Sequence, residues 1–302
     1  MSIKRNIVLV DSPPATPGFL GAGHLARPLI RRPFADSDPF ILLMDDKLDK
    51  KDNHPVGGPH PHAGFETVSL LLQGEIGDEA HTMHAGDFQL MTAGSGVVHT
   101  ETINKPAKMR LLQLWLNLPL KDRWATPRLQ DLQNAQVPML HENGVQIKLY
   151  SGELAGLKSP VLNYTPVIIA DITIAPDTST VLKIPANFNG FVYGLSGQLN
   201  LGENAQALKP DQVGWLNRET ATGQSELSLK AGEDGARFVL YAGKPTGDQI
   251  VSHGPFIAGT ADEINGLYGD FRQGKMKPIT FYTAKLIYPQ INTNQLVQLL
   301  IN

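Results

Sequence analysis

Cysteine is absent from all 302 residues, so disulfides and thiolate ligands are excluded and any metal must be held by nitrogen and oxygen. A basic excess is also missing. The formal net charge of -3 and an isoelectric point near 6.3 give no footprint for neutralising phosphates, which disfavours direct nucleic-acid binding. Long apolar runs are lacking near the start of the chain. Ile7-Val8-Leu9-Val10 is too short for a signal-peptide core or a membrane span, and the expectation is a soluble cytoplasmic protein without membrane attachment. Charged residues are sparse at 18%, whereas 29 Gly and 22 Pro suit many short strands and turns better than long surface helices. The chain therefore reads as mainly β, and its length makes two domains the default.

Two short clusters of donor side chains stand out, His60-Pro61-His62 and His99-Thr100-Glu101, separated by a glycine-punctuated, strand-like segment. Residues two apart on a strand share a face, so His60 and His62 converge if extended, as do His99 and Glu101. Pro61 fixes its own φ and biases His60 towards extended geometry. Three imidazoles and a carboxylate suit iron, nickel, manganese, copper or zinc and leave positions for water or substrate. A lone H-x-H pair more often faces solvent on an edge strand than binds a metal, but a second pair in the same small β-unit reverses that balance.

The surrounding pattern supplies strands. Residues 40–44 form an apolar run closed by Asp45-Asp46, and a loop over 47–59 leads to His60. Strands are predicted over 67–72, 88–91 and 109–118; in the last, Leu112, Leu114 and Leu116 alternate with Gln113, Trp115 and Asn117. Later segments echo the first half: Gly197 lies 123 residues after Gly74, and Asp211 lies 124 after Asp87. Carrying that offset to the histidines reaches Lys183 or Ile184, Pro185 or Ala186, and Thr222 or Gly223. No donor set recurs there, so one metal per chain is expected. The predicted units are residues 1–135, holding the metal, and 136–302. Within the second, Thr260 caps a helix with Glu263 three residues on, and Ile264, Leu267, Tyr268 and Phe271 fall on one face. That helix and a tail with Leu296, Leu299 and Leu300 are expected to cover barrel surface.

The run His60-Pro61-His62-Ala63-Gly64-Phe65-Glu66-Thr67-Val68, with Met91 to Gly96, His99-x-Glu101, Gln113-Leu114-Trp115-x-Asn117-Leu118-Pro119 and Ser252-His253-Gly254-Pro255-Phe256, resembles the pirin family of the cupin superfamily. Arg32-x-Phe34 and Asp38-Pro39-Phe40 extend the likeness over nearly the whole chain. The resemblance implies an all-β bicupin, two tandem antiparallel β-barrels of jelly-roll type with a few short helices near the C-terminus. It also implies one divalent metal, iron(II) first, with nickel, manganese, copper, cobalt or zinc as alternatives, in the N-terminal barrel only. The general cupin pattern would enlist Glu66; the pirin pattern enlists His60, His62, His99 and Glu101, leaving Glu66 as a neighbour or structural residue.

The activity implied is a quercetinase-type dioxygenase that opens a flavonol-like substrate with O2, Glu101 taking the substrate's proton. The alternative is a metal- or redox-responsive protein that binds and modulates an enzyme or transcription factor. His81 and His84 read as loop histidines, and His24, His54, His141 and His253 as structural, since none has a spaced partner. Gly21-x-Gly23 and Gly94-x-Gly96 lack the strand-to-helix context of a dinucleotide site and read as turns.

Overall fold

A computed structural model describes residues 2–77 and 82–279. Two antiparallel sheets carry most of the strands. The first runs, in spatial order, Arg128–Leu132, Phe88–Thr92, Phe65–Gln73, Ala107–Asn117, Phe40–Lys50, His24–Pro28 and Thr16–Pro17. The main path of the second runs Met139–Glu142, Val145–Ser151, Val167–Ile174, Gln224–Gly243, Asn189–Leu201, Val213–Leu216 and Ile7–Asp11. This is the expected all-β, two-cupin architecture. No helix of the described residues is long and apolar enough to cross a membrane.

Period-two alternation divides the first sheet between two interiors. Leu70, Leu90, Leu112, Leu114 and Leu116 pack with Phe191, Tyr193, Trp215, Val239 and Tyr241 into a core between the sheets. The alternate residues of the same strands, Leu71, Met109 and Leu111 among them, line the first barrel itself. An ion network also crosses between the sheets. Arg110 donates to both oxygens of fully buried Asp45 at 2.9 and 2.8 Å, and the Tyr193 hydroxyl donates to Asp45 at 2.6 Å and to Asp211 at 3.2 Å. Arg27 reaches Asp211 from the first sheet at 2.9 Å.

Several elements differ from the sequence reading. The strand expected over 40–44 continues to Lys50, because its polar end pairs residue by residue with Ala107–Arg110 of the neighbouring strand. Residues 3–11 fall within the predicted first unit of 1–135, yet they pair in the second sheet. Buried Arg5 ties them there by donating to the carbonyls of Ala186, Phe188 and Asn217. The helix Ala261–Arg272 starts at the Thr260–Glu263 capping box as anticipated, with Ile264 and Leu267 buried, but Phe271 is exposed. A four-residue helix, Phe34–Ser37, lies near the other end of the chain. The tail with Leu296, Leu299 and Leu300 lies outside the described residues.

Removing one partner of a buried ion pair strands the other charge. Arg110→Ala is expected to destabilise the fold by about 3 kcal/mol in denaturant titration; a loss below about 1 kcal/mol would show that Asp45 does not depend on Arg110.

Candidate metal centre

A small three-stranded sheet stands apart from the two large ones. Strand His60–His62 pairs antiparallel with Val97–His99, so that His99 stands opposite His60 and Val97 opposite His62. Lys277–Pro278 adds a third, parallel strand beyond Val97 and Val98. Alternation puts His60 and His62 on one face, and the register delivers His99 to it. The ligand nitrogens of the three histidines all lie within 4.8 Å of one another. His60 Nε2 and His99 Nε2 are 2.9 Å apart. Two donors bound at right angles at about 2.1 Å would be about 3 Å apart, a spacing that this pair matches.

The ring orientations are fixed from outside. His60 Nδ1 lies 2.9 Å from the Gly58 carbonyl, which accepts its proton and leaves the Nε2 lone pair facing His99. His62 Nδ1 faces the Pro255 carbonyl at 3.4 Å. Two imidazole nitrogens at such a distance need a proton or a cation between them. Burial lowers the His62 imidazole to about 4 and His99 to about 2, in each case helped by the neighbouring histidines, so both present neutral lone pairs at ordinary pH. The donor set thus fits a divalent ion of borderline hardness.

Aromatic rings support the cluster. His62 packs edge-on against Phe65 and Trp115, at centroid distances of 5.2 and 5.3 Å. Trp115 Nε1 is buried with no acceptor among the described residues, which leaves a donor in this packed wall. The turn between His62 and Phe65 needs glycine. Gly64 has φ +89°, and a Cβ there would sit 1.8 Å from the Ile257 carbonyl oxygen. The Ile257 amide in turn donates to Ala63 at 3.0 Å, so the Val251–His253 and Phe256–Ala258 hairpin braces the histidine strand.

Glu101 lies two residues beyond the end of the strand Val97–His99 and is not part of the three-nitrogen cluster. Its carboxylate accepts from Gln113 Nε2 at 3.0 Å. Burial pushes its carboxyl above the usual range, opposed by His60 and by the Gln113 hydrogen bond. A cavity of about 110 Å³ reaches both His99 and Glu101, with Ile76, Met83, Met91, Leu111 and Leu129 on its walls and Ser69, Gln89, Thr100 and Thr102 as further polar lining.

Glu66 points elsewhere. It shares the strand face of Val68 and Leu70, accepts from the Thr92 hydroxyl at 2.8 Å, and is fully buried, which pushes its carboxyl up to about 7. His84 is exposed, and His81 lies outside the described residues. His24 is structural: buried, it meets Asp46 at 2.9 Å and accepts from the Leu20 amide. His54 and His141 are exposed, and exposed His253 touches the Tyr268 hydroxyl. Gln113, Trp115 and Pro255 complete the site without having been singled out as site residues. The signal for the first two was the alternation with Leu112 and Leu114, which places them on the opposite, barrel-facing side.

Comparison with known proteins gives a consistent picture. Residues 29–116 match the pirin family model, and residues 169–277 match the model for the pirin C-terminal cupin domain. A pirin-like protein of Solanum lycopersicum is 34% identical over 262 residues, covering 84% of this chain and 88% of that one. Human pirin is 34% identical over 267 residues, covering 84% and 89%. Among solved structures, a quercetin 2,3-dioxygenase from Acinetobacter baumannii superposes with a TM-score of 0.79 at 28% identity, over 92% of this chain and all of that one.

Two outcomes follow from this geometry. Replacing His62 by Ala removes a donor itself, so metal affinity measured by chelator competition should fall by more than about 100-fold, beyond the loss typical of an outer partner; an unchanged affinity would contradict the cluster. Glu66 retains a proton in the folded protein between about pH 4.5 and 7 that the unfolded chain releases, so its contribution to stability is present below that window and lost as pH rises through it. Glu66→Gln should therefore gain about 2 kcal/mol relative to the parent between pH 5 and pH 8. An identical pH profile for both proteins would show that Glu66 is not held protonated.

Proposed function

The chain belongs to the pirin family, and from that premise we propose that it is a metal-dependent dioxygenase that opens a flavonol-like ring with O2, using His60, His62, His99 and Glu101. The observation that carries this reading is the convergence of three imidazoles, of which His99 borders a mainly apolar cavity whose lining also includes Glu101. A similar solved structure at 28% identity is a quercetin 2,3-dioxygenase, which supports the substrate class.

His60, His62 and His99 would hold the ion, with iron(II) the first choice for the nitrogen and oxygen set and nickel, manganese, copper, cobalt or zinc as alternatives. A bound divalent ion supplies Lewis acidity towards a substrate oxygen. Glu101, which lies beside the three-nitrogen cluster, would be the fourth donor and would accept the substrate's hydroxyl proton. Its raised affinity for protons, caused by burial, suits it to that role, and Gln113 Nε2 holds one of its oxygens in place. The walls formed by Ile76, Met83, Met91, Leu111 and Leu129 pack a flat ring and keep water out.

A second reading is a metal-responsive protein that binds and modulates an enzyme or transcription factor. The contact favouring it is His62 Nδ1 on the Pro255 carbonyl, which links the cluster to a surface hairpin.

The test is O2 uptake and carbon monoxide release by the iron-loaded full chain with quercetin. Turnover is expected, with Glu101→Gln lowering kcat by at least about 100-fold. No O2 uptake by fully loaded protein would remove the dioxygenase reading for flavonols, and metal-dependent capture of a partner would then support the second.

A further inference from the structure

The two barrels differ at the same pair of loops. In the first, the loop after His62 and the loop before Val97 are bonded directly: the Gly64 amide donates to the Gly94 carbonyl at 2.8 Å, and the Ala93 amide to the Phe65 carbonyl at 3.0 Å. The repeat offsets of 123 and 124 residues carry these positions to Asn187 and Phe188 on one side and to Asn217 and Arg218 on the other. No backbone bond joins that second pair of loops among the described residues. Arg5 stands between them instead, fully buried, with Nη1 donating to the Phe188 carbonyl at 3.1 Å and Nη2 to the Asn217 carbonyl at 2.6 Å. Where the first barrel closes backbone on backbone, the second has a cavity of about 390 Å³ lined by both loops.

Two cations in that lining have no carboxylate partner. Arg218 and Lys244 are exposed and form no ion pair among the described residues; of Arg218, only Nη1 is engaged, donating to the Ala35 carbonyl at 2.7 Å. Glu219, also in the lining, is committed elsewhere: Asn217 Nδ2 donates to it at 2.7 Å, and its charge answers that of buried Arg5. Two positive charges are therefore left over, next to apolar surface from Phe188 and Pro245. The geometry points to a second ligand site, sharing no residue with the metal centre, for a small phosphate monoester whose dianionic head meets Arg218 and Lys244 and whose organic group packs on Phe188 and Pro245. A guanidinium fork offers paired donors to phosphate oxygens, and an ammonium adds a compact point charge. A monoanionic carboxylate would answer only one of the two cations.

The experiment is calorimetric titration of the nickel-loaded full chain with phenyl phosphate, inorganic phosphate and benzoate. Phenyl phosphate is expected to bind about tenfold more tightly than either, since it alone supplies both the dianion and the buried ring. Arg218→Gln and Lys244→Gln should each weaken it about tenfold. Both side chains are exposed, and Lys244 has no side-chain partner among the described residues to lose, so the fold is expected to survive the second substitution unchanged. Phenyl phosphate binding that is unchanged in both variants would place the ligand on the metal or elsewhere and overturn the inference. Benzoate binding as tightly as phenyl phosphate overturns the pairing of two cations with a dianion, inorganic phosphate binding as tightly overturns the ester, and absence of binding overturns the site.

Discussion

The antiparallel register of two three-residue strands is the constraint on which the site depends. Placing His99 opposite His60 brings two imidazole nitrogens within 2.9 Å and puts His62 on the same face. A slip of one residue would send His99 to the other side of the sheet. So short a pairing cannot hold its own register. It is fixed instead by neighbours: Lys277–Pro278 paired along one edge, and the Ile257 backbone pressed against Gly64 with no room for a side chain. Segments far along the chain thus brace the strands that carry the three histidines.

Alternation along the strands then separates stability from chemistry. On Ala107–Asn117, the leucines at 112, 114 and 116 are at most 1% exposed and bind the two sheets together, while Gln113 and Trp115 on the other side serve the metal cluster and Glu101. The same rule sends Glu66 into the contact between the sheets and Phe65 towards His62. One strand can be optimised on one face for packing and on the other for function without conflict.

Much of this was legible in the sequence because it is local. The His60 and His62 pair, the strand leucines, the Thr260 cap with Glu263 and the repeated spacing of glycine and aspartate all act over a few residues or a fixed offset. What escaped depends on where a local rule stops. Period two places Glu101 beside His99 only while the strand continues, and the strand ends at His99, so Glu101 meets Gln113 outside the three-nitrogen cluster. Gly64, with its positive φ, breaks the phase between His62 and Glu66. Residues 3–11 join the second sheet through partners some two hundred residues away, a pairing that no short-range pattern encodes.

The central claim is that three imidazoles share one ion inside the first barrel. X-ray absorption spectroscopy of the iron-loaded protein reads that directly. The account predicts a first shell of nitrogen and oxygen only, with the multiple-scattering signature of three histidines. A shell with one imidazole or none, or with sulfur from Met83 or Met91, would contradict it.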